Sequence, residues 1–79
     1  MISGQAVFAE ESSVVFGVGW YDVGQAALEG RKGIKQVTSG WRGSMEINAV
    51  IYDPAEISIK EMEKALKKHD TYKKTFKDL

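Results

Sequence analysis

The stretch Ser13-Val14-Val15-Phe16-Gly17-Val18-Gly19-Trp20-Tyr21-Asp22-Val23-Gly24-Gln25-Ala26-Ala27-Leu28 passes from strand to helix, and that passage decides the fold. Val14, Phe16 and Val18 alternate with Val15 and Gly17, the period of a strand with one packed face. Gly17 and Gly19 close the strand and let the backbone turn. Asp22 then reads as a helix N-cap, with Gln25 three residues on as the reciprocal partner of a capping box. The helix is expected to run to about Glu29, to pack through Val23, Ala26 and Ala27, and to end at Gly30 and Gly33. Upstream, residues 6–10 form another apolar run, split from the first by Glu11-Ser12. The two runs are either a hairpin or one strand with an irregular lead-in.

Downstream, residues 34–41 read as a second strand, with Gly40 and Gly43 marking a turn. Residues 45–52 form the clearest strand, in which Met45, Ile47, Ala49 and Ile51 alternate with Glu46, Asn48, Val50 and Tyr52. Asp53-Pro54 breaks it. The last helix announces itself locally: Ser58 and Glu61 form a capping box, and Ile57 and Met62 occupy the two positions of a hydrophobic staple. Ile59, Met62 and Leu66 follow with helical spacing, with Ala65 and His69 beside them, while Glu56, Lys60, Glu63 and Lys67 face water as i,i+4 pairs. Residues 72–76 either close the sheet as a short strand or pack back on the helix.

Strand, helix, strand, strand, helix, strand is the α+β ferredoxin-like βαββαβ sandwich, an antiparallel sheet with two helices on one face. Its other face is open. Val15, Trp41, Val50 and Tyr52 are expected there, partly exposed, and a homodimer across the sheet or along an edge would cover them.

The 79 residues make one domain, 1–79, whose core is thin enough that self-association would help it. Eleven acidic and eleven basic residues cancel, so no global field draws the chain to nucleic acid or a membrane. Lys64, Lys67, Lys68, Lys73, Lys74 and Lys77 cluster late and read as a solvated helix face and tail. The first five residues lack the basic and apolar regions of a signal peptide, and no apolar run reaches membrane-spanning length, so the expectation is a cytoplasmic protein. There is no cysteine. No disulfide framework or cysteine-based metal site can form. His69 is the lone histidine, and no cofactor is implied.

The segments Val15 to Asp22, Gln25 to Leu28, Gly33-Ile34, Val37 to Trp41, Val50 to Pro54 and His69-Asp70, in that order, resemble the A-type peptide methionine sulfoxide reductases over about residues 13–70. That family carries a nucleophilic Cys within Gly-Cys-Phe-Trp, where this chain has Gly19-Trp20-Tyr21-Asp22. The family's active-site insertion and C-terminal region have no counterpart here. The resemblance therefore implies a truncated core, a pseudoenzyme without a catalytic residue, because an indole at position 20 cannot attack a sulfoxide and no resolving thiol exists. It also implies a vestigial substrate pocket. Tyr21 stands at a cage aromatic, Glu46 at the carboxylate that contacts the sulfoxide oxygen and Asp70 at a second carboxylate, while Trp20 is placed to refill the cage. The expected ligand is a methionine or methionine-sulfoxide peptide.

A second reading is a heavy-metal-associated-like ferredoxin-fold domain that has lost its metal cysteines. That family shares the βαββαβ plan, but its metal loop needs two cysteines near residues 20–25. Soft-metal binding through Met45 or Met62 would be improvised.

Overall fold

A computed structural model describes residues 10–76. Six elements follow one another: β1 (Ser12–Val18), α1 (Tyr21–Leu28), β2 (Ile34–Arg42), β3 (Met45–Tyr52), α2 (Ile59–Lys68) and β4 (Tyr72–Phe76). The strands form one sheet in the order β2-β3-β1-β4, and every neighbouring pair is antiparallel. This is the ferredoxin-like α+β plan, and residues 72–76 are its closing strand. Most of the first apolar run, residues 6–9, lies outside the described residues, as do residues 1–5 and Lys77.

The two halves of the chain cross through helices because β1 and β3 are central. Each must bury a face, and the helices supply the cover. Phe16, Leu28, Met62 and Leu66 are fully buried between sheet and helices, with Val14, Val18, Val50 and Tyr52 around them. Hydrophobic burial of this kind contributes roughly 1.5–3 kcal/mol per large side chain.

Helix α2 begins as its local residues dictate. Ser58 Oγ accepts the Glu61 N–H at 3.1 Å, and Glu61 Oε1 accepts the Ser58 N–H at 2.9 Å. Ile57 and Met62 are both buried, as a staple requires. Glu63 is not simply solvated, because its Oε2 accepts the Thr75 hydroxyl at 2.6 Å. The helix ends in a Schellman motif: Thr71 N–H donates to Leu66 C=O at 3.0 Å, and Asp70 N–H donates to Lys67 C=O at 3.0 Å. Asp70 occupies the left-handed position there, with φ 57°. Aspartate tolerates that conformation better than most residues.

The turn between β2 and β3 is two residues long, Gly43-Ser44. Gly43, at φ 60°, is the first of them, which is where a type II′ hairpin needs glycine. Gly40 lies within β2 instead, paired with Ile47.

Three expectations need correction. Helix α1 starts at Tyr21, two residues earlier than an Asp22 cap allows, and its N-cap is Trp20 with no side-chain capping bond. Asp22 Oδ1 accepts only the adjacent Val23 N–H, at 2.9 Å. The earlier start rotates the buried stripe to Gly24, Ala27 and Leu28, leaving Val23 and Ala26 exposed.

The second correction concerns β3, whose faces are reversed. Asn48, Val50 and Tyr52 point inward to the helices, while Ile47, Ala49 and Ile51 lie half-buried on the open face. Both faces of β3 carry apolar residues, so alternation alone does not choose between them. Polar bonds choose. Asn48 Nδ2 donates to Tyr21 C=O at 3.0 Å and to Ser39 Oγ at 3.2 Å, anchoring the strand under α1. Third, Trp41 joins the helix side, with its ring edge-on to Tyr21 at 5.9 Å. Of the four residues expected on the open face, only Val15 is there.

Candidate functional site

The candidate site is the end of the sheet where β1 turns into α1. Three segments far apart in sequence meet there: the turn 19–21, the start of β3, and the residues following α2. Gly19 N–H donates to Thr71 C=O at 2.8 Å. Trp20 N–H donates to Thr71 Oγ1 at 2.9 Å, and that hydroxyl in turn donates to Trp20 C=O at 3.2 Å. Thr71 is buried, so this clamp is partly shielded from water. The left-handed Asp70 and the Schellman motif set the position of Thr71, and thus of Trp20.

On the other side, Tyr21 N–H donates to Glu46 Oε1 at 2.8 Å. Glu46 therefore caps α1 from a neighbouring strand, placing a carboxylate at the positive end of the helix. We expect Glu46→Ala to destabilise the fold by about 1 kcal/mol, as for the loss of an ordinary N-cap. Chemical denaturation of the purified protein measures it.

The backbone of the turn is thus held from both sides while its aromatic side chains face outward. Trp20 is 64% exposed and Trp41 59% exposed. Tyr21 lies between turn and sheet, packed against the core and against Trp41. Beside them is an open depression of about 200 Å³, lined by Val18, Gly19, Ser44, Met45, Glu46 and Lys73. Below, a polar chain stabilises the start of α1: Ser39 Oγ donates to Gln25 Oε1 at 2.7 Å and takes the Asn48 amide. Asn48 Oδ1 is buried with no hydrogen-bond partner. A Cβ on Gly24 would run into that oxygen, so the glycine Cα–H pointing that way is its neighbour.

Of the residues singled out in the sequence, the structure brings Trp20, Tyr21 and Glu46 together. Asp70 belongs to the same end of the molecule, but its part is the backbone turn after α2, and its side chain is exposed. His69 is the C-cap of α2. Thr71, Asn48, Ser39 and Trp41 were not assigned to the site from sequence. Thr71 bonds a residue 51 positions away, and no local signal marks such a partner. Among the described residues, no three His, Cys, Asp or Glu side chains converge on a cation site. No helix among them is long and apolar enough to cross a membrane.

No family model matches this chain, and no curated protein does. Its structure is similar to the solution structure of the N-terminal soluble domains of Bacillus subtilis CopA, with a TM-score of 0.68 at 18% sequence identity. The match covers 84% of this chain and 48% of that one, so the chain spans about half the length of its structural neighbour. At that identity the likeness establishes the ferredoxin-like fold.

The resemblance to methionine sulfoxide reductases is accordingly overturned, since nothing in these comparisons points to that family. The motifs that carried it have local structural explanations. Gly19 and the turn after it serve the strand-to-helix passage, Glu46 caps α1, and Asp70 ends α2 in the left-handed position.

Proposed function

We propose that this chain is an interaction domain: a heavy-metal-associated-like ferredoxin fold whose β1–α1 end presents aromatic side chains to a protein partner. The observation that carries the reading is the pair of exposed tryptophans, Trp20 on a backbone turn pinned by Thr71 and Glu46, and Trp41 on β2 with its ring against Tyr21. Exposing two indoles on so small a domain leaves apolar area in water that a partner would cover. Tryptophan is also the residue type that most often dominates binding energy at interfaces. A held backbone lowers the entropic cost of presenting them. The chain lacks the cysteines that a heavy-metal loop needs near residues 20–25, which supports protein recognition over soft-metal capture at this end.

The test places a photo-reactive amino acid at position 20, and separately at Lys60 on α2, in cells that produce the protein. The expected result is a discrete protein cross-linked from position 20 and not from 60. Affinity for that protein, once purified, should fall at least ~10-fold in Trp20→Ala and in Trp41→Ala, the loss of an interface hot spot. Equal cross-linking from both positions, or affinity unchanged in both variants, would contradict the proposal.

A further inference from the structure

The open face of the sheet, on the side away from the helices, carries a separate feature. Its centre is apolar: Val15, Ile47, Ala49, Ile51 and Phe76 are all half-buried, and none of them is covered by a helix. Its two ends have opposite charge. At one end Arg42 and Lys74 both lie over the Phe76 ring, with the guanidinium carbon 4.2 Å and the ammonium nitrogen 5.0 Å from its centroid. Gly17 makes that arrangement possible. A Cβ there would strike Met45 Sδ and approach Phe76, so the bare backbone lets both side chains fold over it.

At the opposite end, Glu11 stands immediately before β1, and the alternation of Ser13, Val15 and Gly17 carried one residue further places it on the same face. Glu11 is exposed. Six residues of extended chain put the acidic and basic ends about 20 Å apart.

A face with an apolar middle, an acidic end and a basic end is complementary to itself when turned by 180°. A two-fold axis through its centre sets Glu11 of each copy against Arg42 and Lys74 of the other, and lays the apolar strips together. We propose that the open face is a homodimer interface in which two copies pack sheet to sheet, antiparallel, with these charges paired. The proposal is independent of the aromatic end, whose Trp41 lies on the helix side of each copy, away from this face. Four strands about 4.8 Å apart give a patch roughly 15–20 Å wide. With a length of about 20 Å the patch covers roughly 300–400 Å², smaller than the ~800 Å² per partner of a standard interface. The dimer is therefore weak, reversible and sensitive to salt.

Sedimentation equilibrium of the full chain over a wide concentration range tests it. The wild type should pass from monomer to dimer, and added salt should shift the transition to higher concentration. Two charge-reversed proteins are then compared, Glu11→Lys, and Arg42→Glu with Lys74→Glu. Each alone should dimerise at least ~10-fold more weakly, because like charges now face one another. Mixed in equal amounts, the two should form a heterodimer. Glu11 lies just before β1 and Arg42 at the end of β2, and circular dichroism of each protein checks that the fold is kept. A wild type that stays monomeric throughout would overturn the proposal. So would a dimer indifferent to both reversals, or a mixture in which no heterodimer forms.

Discussion

Gly24→Ala is expected to destabilise the protein by about 2–3 kcal/mol, although alanine is ordinarily the better helix residue by about 1 kcal/mol. Gly24 is buried in the middle of α1, where the helix crosses β3. An added Cβ meets the Asn48 carboxamide oxygen within contact distance, and lies 3.1 Å from its Cγ and 3.4 Å from Leu66 Cδ2. Asn48 cannot swing aside without giving up its bonds to Tyr21 C=O and Ser39 Oγ. The overpacking therefore has no soft direction in which to relax. Because the clash is with one side chain, removing that side chain should relieve it. The double variant Gly24→Ala, Asn48→Ala should be less destabilised than the sum of the single variants by about 1 kcal/mol or more. Urea denaturation of the four proteins of this cycle measures the coupling. Additive effects would mean that Asn48 is not what keeps position 24 a glycine.

Thr71→Val is the second large effect, and it reaches the candidate site. Valine matches threonine in shape but has no hydroxyl. Trp20 C=O still receives the first helical bond from Gly24 N–H at 3.0 Å, so the group left without a partner is the Trp20 N–H. Leaving such a donor unpaired in a half-buried place costs about 1–3 kcal/mol. The Gly19 bond to Thr71 C=O is made by backbone and survives. Loss of stability should thus be accompanied by a local effect: faster amide exchange at Trp20 than at Gly19. Thr71→Ser, which keeps the hydroxyl, should restore most of the protection. If Val and Ser behaved alike, the hydroxyl clamp would not be what holds the turn.

The fold was legible in the chain, and the parts that were not share a physical cause. Helix α2 carries its own cap and staple within six residues, Ile57 to Met62, so its start could be read locally. Helix α1 looks as if it does the same, with Asp22 and Gln25 at the right spacing. Yet its cap is Glu46, 25 residues away, and the true start shifts the buried stripe by one position. The orientation of β3 was misread for a related reason. Val50 and Ile51 are equally apolar, and the deciding residue is a polar one, Asn48, whose burial depends on the missing side chain at Gly24.

The site was legible only in part. Trp20, Tyr21 and Glu46 do meet, but at a helix N-terminus that Glu46 stabilises, and the reductase resemblance supplied the wrong reason for grouping them. Residues with a local structural part, such as Glu46 capping α1 and Asp70 ending α2, serve any chain that makes the same turns. Such residues are weak evidence of ancestry.

The central claim is that Trp20 and Trp41 are contact residues, and the chain has no other tryptophan. The most direct measurement is therefore the ¹⁹F spectrum of protein labelled with fluorotryptophan, recorded pure and then in extract of the cells that make it. The account predicts that both signals lose their solvent isotope shift in extract, as a partner excludes water from the indoles. Two signals that keep the isotope shift of the pure protein would mean that the aromatic end meets no partner there, and would contradict it.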